Sequence, residues 1–306
     1  MREGDEIARL ITFLFAASVV LITILLVYVL WQQSVLPRHK FGLAFLFTRV
    51  WDPIFDQFGA LTFIYGTLVT AAVSLLIAVP LGIGAAIFLA ELAPPRLSDT
   101  LEFFIDLLAA VPSVIYGLLG VFIIAPLMRE HIAPALKSAL GSLPLFQGPC
   151  YGLSFLTAGM VLAIMIIPYI ISVSREVLLS VPRDQREAAL AVGSTRWEST
   201  WKVVVPFARS GIMGSIFLAL ARALGETVAV AMVIGNNPTI SASLFSPGYS
   251  IAAVIANEFT EATGDLHLQS LIELGLLLFV LTFILNGLAR LMIVLTAQRG
   301  SGMGNA

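Results

Sequence analysis

The sequence predicts an all-α transmembrane protein that crosses the bilayer six times. Three observations carry this expectation. Of 306 residues, 58% are hydrophobic and only 12% are charged, whereas soluble domains hold about 45–50% apolar and about 25% charged residues. Mean hydropathy is +0.97, so the chain has too few charges to cover its apolar surface in water, which excludes the soluble, disordered and fibrous classes. The apolar runs are long and unbroken, as membrane helices require. A β-barrel would instead show short alternating segments with a polar lumen face.

The elements follow in order. Residues 1–9 read as a short cytoplasmic N-terminus and residues 10–306 as a single membrane domain. Spans are expected at 10–31, 62–90, 107–128, 153–174, 210–235 and 271–295. The first run has 22 residues without a charge and ends on Trp31, a residue suited to the interface. It exceeds the 7–15 apolar residues of a signal peptide, and no small-residue cleavage site follows. The second run is charge-free over 58–90, longer than one span, so its first part is expected at the interface; Pro80 inside it should kink the helix. The third contains Val111-Pro112-Ser113, with Gly117 and Gly120 beyond, and the fourth contains Pro168. The fifth carries Arg222, and the sixth has Arg290 near one end, where it can snorkel. Of the loops, 129–152 is rich in Pro, Gly and Ser and reads as irregular, and 250–263 reads as a short interfacial helix.

Basic residues set the orientation. With the N-terminus inside, the inner segments hold Arg2, Arg9, Arg96, Arg175, Arg183, Arg186, Arg196, Lys202, Arg209, Arg290 and Arg299. The outer ones hold Arg38, Lys40, Arg49, Arg129 and Lys137. Eleven against five favours both termini inside the cytoplasm. The loop after span five carries Glu258, Glu261 and Asp265 with no Lys or Arg and fits the outside.

Several functions are excluded or disfavoured. A net charge of −2 offers no basic surface for nucleic acid. The lone Cys150 cannot form an intrachain disulfide, and His39, His131 and His267 are far apart. There is no HExxH, no CxxC and no Gly followed by Lys, hence no Walker A loop. No metal or cofactor is expected on this chain, and any ATP would be hydrolysed by another subunit.

The segment between spans four and five is the most informative. Pro182 suits a helix start, 187–192 are mostly strong helix formers, and Gly193 suits a helix end that needs positive φ. Ser194 or Thr195 can cap a second helix, to which Trp197, Trp201 and Val204 lend an apolar stripe. The segment runs to about 35 residues, whereas a simple connector is usually about 2–8. Small residues at 188, 189 and 191 flanked by charges read as a docking element for a cytoplasmic partner.

This stretch resembles the EAA-x3-G-x9-I-x-L-P signature of ABC importer membrane subunits. Glu187, Ala188, Ala189, Gly193 and Pro206 stand at its spacing, with Val203 and Val205 in place of Ile and Leu. The resemblance implies a coupling loop over 182–206 that inserts into a cleft of the ATP-hydrolysing subunit. Glu187, Ala188, Ala189 and Gly193 would then be contact or turn residues, and Pro206 would mark the return to the membrane.

The second informative stretch is Arg222-Ala-Leu-Gly225-Glu226-Thr227. Arg222 lies about 12 residues into its expected span, roughly 18 Å deep, where an isolated charge is costly. Arg222 and Glu226 are i, i+4 and can pair on one helix face. A structural ion pair is the plain alternative, although such a pair often adds no stability over apolar residues. As a substrate site, the planar Arg fork suits a tetrahedral oxyanion. Glu226 beside it makes sense if the substrate keeps a proton to donate, as phosphate does near neutral pH and sulfate and molybdate do not. Glu226 either contacts the ligand or only positions Arg222. Ser113, Tyr116 and Thr227 are candidate neutral donors along the pathway, with ordinary interhelical bonding the alternative.

Residues 222–236 (RALGETVAVAMVIGN) resemble the phosphate-importer permeases, as do 66–97, 107–118, 172–182 and IANEF at 255–259. The likeness is nearer the PstC-type than the PstA-type subunit; Val228 stands where the family usually has Met. It implies a type I importer fold in the bacterial inner membrane. Its expected partners are a second, PstA-type permease, two ATP-binding subunits that use ATP and Mg, and a soluble phosphate-binding protein. Arg222, Glu226, Thr227 and Ser113 are the expected phosphate-binding residues. A permease for molybdate or sulfate is the nearest rival; an ion-coupled secondary transporter or a membrane enzyme is more distant, since neither needs an ATPase dock.

Overall fold

The computed structural model describes residues 2–301, with the side chains of 2–5, 7 and 292–301 left aside. Arg2 and Arg299, both counted on the inner side, therefore lie outside the described side chains, as residues 302–306 lie outside the described chain. The fold is helical. α1 is Arg2–Gln33, α2 Val35–Phe41 and α3 Ala44–Phe47. α4 is Leu61–Ile87, prolonged by a π turn Phe88–Leu92, and α5 is Pro95–Ala109. α6 spans Ser113–Leu140, α7 Phe155–Leu179 and α9 Arg196–Gly225. Between the last two lies α8, Arg183–Ala191. α10 is Val228–Val233, α11 Ile251–Glu258 and α12 Asp265–Ser301. Among the described residues, six helices, α1, α4, α6, α7, α9 and α12, are long and apolar enough to cross a membrane.

Helix boundaries differ from the sequence reading at three places. The expected third span, 107–128, is broken: α5 ends at Ala109, the chain turns through 110–112, and α6 starts at Ser113. Pro112 is extended (φ −59°, ψ 141°); it lacks an N–H and disfavours helical backbone at the residue before it. The 129–152 loop is not irregular throughout, because α6 continues to Leu140. The fifth span does not run 210–235. Its helix begins at Arg196, ends at Gly225 and resumes only at Val228, with Glu226 extended (ψ 126°). The segment expected as a 35-residue connector is therefore short, and Pro206 lies within a continuous helix.

Prolines explain a repeated detail. Among the described residues, π turns occupy 88–92, 120–124, 128–132 and 200–204. In each, the next N–H (Ala93, Ala125, Ala133, Val205) reaches back five residues, and a proline follows at 94, 126, 134 or 206. Proline lacks the N–H and its ring crowds the carbonyl four residues back, so the helix widens by one residue just ahead of it.

α7 is the central helix, with 67% of its apolar window buried, whereas the window of α1 is 0% buried. The apolar face of α1 is thus left to lipid or another subunit. α7 packs along α4 and α9 around Phe155, Leu162, Met165, Ile166, Ala219 and Ala223. Small residues set the spacing: a Cβ on Gly159 would lie 2.3 Å from Val73 Cγ1, and one on Gly211 2.3 Å from Val177 Cγ1. Gly214, one turn from Gly211, faces open space instead. The segment 250–263 is helical over 251–258, but its first four residues are buried in the core rather than interfacial. His267 is also interior, stacked 5.4 Å from Phe58 and 3.1 Å from Glu258 Oε2, which accepts from Trp51 Nε1 at 2.8 Å.

Candidate functional site

Two helix breaks meet inside the bundle. α10 lies on the first turns of α6, where a Cβ on Gly117 would fall 2.5 Å from Met232 Sδ and 3.3 Å from Ala229 Cα, and one on Gly120 2.5 Å from Val233 Cγ1. The turn 110–112 and the turn 226–227 are therefore the starts of two packed half-helices. Helix ends carry unpaired backbone groups, so polar side chains gather there.

Arg222 sits in the last turn of α9, half-buried. Its guanidinium carbon stands 4.2 Å from the ring centroid of Tyr169 on α7. Its Nε is buried without a hydrogen-bond partner, and it forms no ion pair among the described residues. The expected Arg222–Glu226 pair is absent because the helix stops between them, and the i, i+4 relation holds only in continuous helix. Glu226 Oε1 instead accepts from the Ala229 N–H at 3.3 Å, at the start of α10. Thr227 Oγ1 reaches the Gly225 carbonyl at 3.3 Å. Ser113 occupies the first turn of α6, partly exposed, and its hydroxyl has no protein partner among the described residues. Arg222, Glu226 and Thr227 are thus gathered at one break, and Ser113 stands at the neighbouring one. Gly225 is open; nothing in this chain lies within 4 Å of a Cβ built there.

Two tyrosines frame the cation. Tyr169 Oη donates to the Ala109 carbonyl (3.1 Å), and Tyr116 Oη donates to the Leu108 carbonyl (2.7 Å). Both carbonyls belong to the end of α5. Tyr169 went unnoticed in the sequence because it lies 53 residues before Arg222, with no local pattern to link them. Just past the end of α10, Asn236 has φ +51° and donates from Nδ2 to the Ala231 carbonyl (2.9 Å).

The cytoplasmic element is built on α8. Glu187 and Ala188 are exposed, Ala189 is buried and Val192 is 82% exposed. Gly193 follows with φ +88°, a left-handed value that side chains with a Cβ resist. Thr195 caps the next helix through a reciprocal box with Glu198. Trp197 and Trp201 pack edge to face (5.6 Å) but remain about half exposed, whereas Val204 is buried, so the expected apolar stripe is split. Arg186 ties α8 to the end of α4: its Nη2 lies 2.8 Å from Glu91 Oε1 and 2.7 Å from the Leu178 carbonyl. Of the acidic residues at 91, 99, 102 and 106, three are engaged: Glu91 with Arg186, Glu102 with Arg175, and Asp106 with Ser172 Oγ at 3.2 Å.

At the opposite end, Trp51, Asp56, Tyr249, Glu258, Glu261 and His267 line a polar cavity of about 710 Å³. Burial pushes the Tyr249 hydroxyl up to about 12, although the Asn257 amide donates to it at 3.1 Å.

Residues 78–293 match the family described as binding-protein-dependent transport system inner membrane component. The chain is 50% identical over 258 residues to the phosphate transport system permease protein PstC of Mesorhizobium japonicum, covering 83% of this chain and 79% of that one. It is 47% identical to the protein of the same name from Haemophilus influenzae, over 97% of this chain and 93% of that one. Its fold is similar to a chain of the MetNI methionine ABC transporter in an inward-facing form (TM-score 0.55, 17% identity, 81% of this chain and 99% of that one). A chain of a bacterial alginate ABC transporter is similar too (TM-score 0.54, 16% identity, 90% and 94%).

Proposed function

Because the chain belongs to the family of binding-protein-dependent transport system inner membrane components, we propose that it is the permease subunit of an ATP-driven inorganic phosphate importer. It is a multi-pass protein of the inner membrane. Its six spans, with both termini in the cytoplasm, form part of a pathway that opens alternately to each side as ligand and ATP bias two states differently.

One observation carries the substrate side: a half-buried guanidinium at a helix break, with no anionic partner among the described residues. A buried cation without a counter-charge is costly, and an oxyanion arriving in the pathway offsets that cost. The fork of Arg222 gives the anion two parallel donors. Ser113 adds a neutral donor at one break, and Thr227 adds one at the other by turning its hydroxyl away from the Gly225 carbonyl. Glu226, no longer bound to Arg222, has one carboxylate oxygen left to accept from a P–OH group, which favours phosphate over fully ionised sulfate or molybdate.

The coupling side rests on α8. This chain performs no ATP hydrolysis; Glu187, Ala188, Ala189 and the turn at Gly193 seat a separate ATP-binding subunit, and Pro206 opens the membrane part of α9. Two such ATPases using ATP and Mg, a second related permease and a soluble phosphate-binding protein complete the complex.

The test is ATP-driven uptake of labelled phosphate by the assembled complex in liposomes, with excess sulfate or molybdate as competitor. Uptake that requires ATP and ignores both is expected. Uptake suppressed by either competitor would return the substrate to the wider oxyanion class, and uptake driven by an ion gradient without ATP would overturn the importer reading.

A further inference from the structure

We propose that Tyr169 is a positioning residue of the transport site: its ring holds the Arg222 guanidinium in the orientation that receives the anion, and its hydroxyl registers that ring to the end of α5. This rests on the reading of Arg222 as the anion-binding group.

The geometry supplies each step. A guanidinium in the last turn of a helix has long, rotatable reach, and holding it in one pose needs contacts along its length. Hydrogen bonds do not do this, since Nε is buried and unpartnered. A carboxylate does not do it either, since Glu226 has turned to the Ala229 N–H. The contact that remains is the Tyr169 face, 4.2 Å from the guanidinium carbon, a distance at which ring and cation attract. A π face leaves the donors at the edge of the guanidinium plane free for a ligand, whereas an ion pair would occupy them. The ring in turn is held by its hydroxyl on the Ala109 carbonyl at 3.1 Å. Ala109 is the last residue of α5, and α5 is joined to α7 again by Arg175 with Glu102 and by Ser172 with Asp106. Tyr116 likewise donates to the adjacent Leu108 carbonyl at 2.7 Å. The pose of the cation is therefore set by a helix distant in sequence, and a shift of α5 against α7 would alter it.

The experiment is a double-mutant cycle read by ATP-driven phosphate uptake in liposomes, with copurification of the ATPase as the check on assembly. Tyr169→Phe keeps the ring and should retain most of the rate. Tyr169→Leu removes the π face and should lower uptake roughly tenfold to thirtyfold, the factor that a desolvated cation–π contact represents. In an Arg222→Lys background, where no planar fork remains to be oriented, the further loss from Tyr169→Leu should shrink below about threefold. Tyr169→Met replaces the Leu variant if that one fails to assemble. Equal losses in both backgrounds, or a Leu variant as active as the unmodified complex, would overturn the proposal while leaving the phosphate reading intact. No phosphate uptake by the unmodified complex would overturn both.

Discussion

Arg186 Nη2 lies 2.8 Å from Glu91 Oε1, and the two side chains are only 21% and 11% exposed. This pair joins the helix expected to meet the ATPase to the inner end of α4, 95 residues away in sequence. Arg186 also donates to the carbonyls of Leu178, in the last turn of α7, and of Val181, just beyond it. α8 is thus tied to both α4 and α7.

Removing one partner of this pair should destabilise the fold. Glu91→Ala or Arg186→Ala leaves a largely buried charge without its mate, at a cost of about 3 kcal/mol, the lower end for buried pairs. Thermal unfolding of the purified complex measures it. Phosphate moved per ATP hydrolysed should fall in the same variants. Reversing the pair, Glu91→Arg with Arg186→Glu, should recover part of both; no recovery would assign the loss to the carbonyl contacts of Arg186 instead.

Glu187 is exposed on α8 and takes part in no ion pair among the described residues. Glu187→Lys should leave membrane insertion and the permease fold unchanged, because surface charges contribute little to stability. It should lower recovery of the ATPase subunit on copurification. Unchanged recovery together with normal coupling would remove this residue from the dock.

Arg222→Gln should abolish phosphate uptake, a fall of at least a hundredfold if the fork supplies about 3 kcal/mol toward the anion. The complex should still assemble, since Arg222 has no ion pair among the described residues to lose. Normal uptake by the variant would take Arg222 out of the pathway.

Two glycines separate packing from conformation. A Cβ on Gly66 would stand 2.1 Å from the Tyr249 carbonyl oxygen, whereas one on Gly214 meets nothing within 4 Å. Gly66→Ala should therefore cost about 1–3 kcal/mol or more through forced backbone shifts. Gly214→Ala should be neutral or stabilise by up to about 1 kcal/mol as a better helix former. Melting temperatures of the two variants in one detergent compare them directly; equal values would mean that α4 can move away from the 249 backbone.

Much of this molecule was legible in one dimension. Apolar runs near 20 residues identified six spans because a span must satisfy its backbone internally and face apolar surroundings along its whole length. The turn at Gly193 and the cap at Thr195 were legible because capping is local chemistry. The break after Ala109 had a visible signal in Pro112, and the π turns had one in prolines 94, 126, 134 and 206. The break at Glu226 had a weaker one, a glycine at 225 followed two residues later by a β-branched threonine.

The class of protein, the number of spans, the likeness to importer permeases and the residue types available for an anion could all be read along the chain. These depend on composition and on neighbours within a few residues. How those residues are used follows from packing between distant helices. The fold broke the span between Arg222 and Glu226, so their expected pair does not form, and it set Arg222 on Tyr169 from another helix. It also paired Glu91, at the end of α4, with Arg186 on α8. Such contacts join positions 53 and 95 residues apart, and their geometry follows from how α4, α5, α7 and α9 pack, a balance of small-residue spacing and burial that no local pattern encodes.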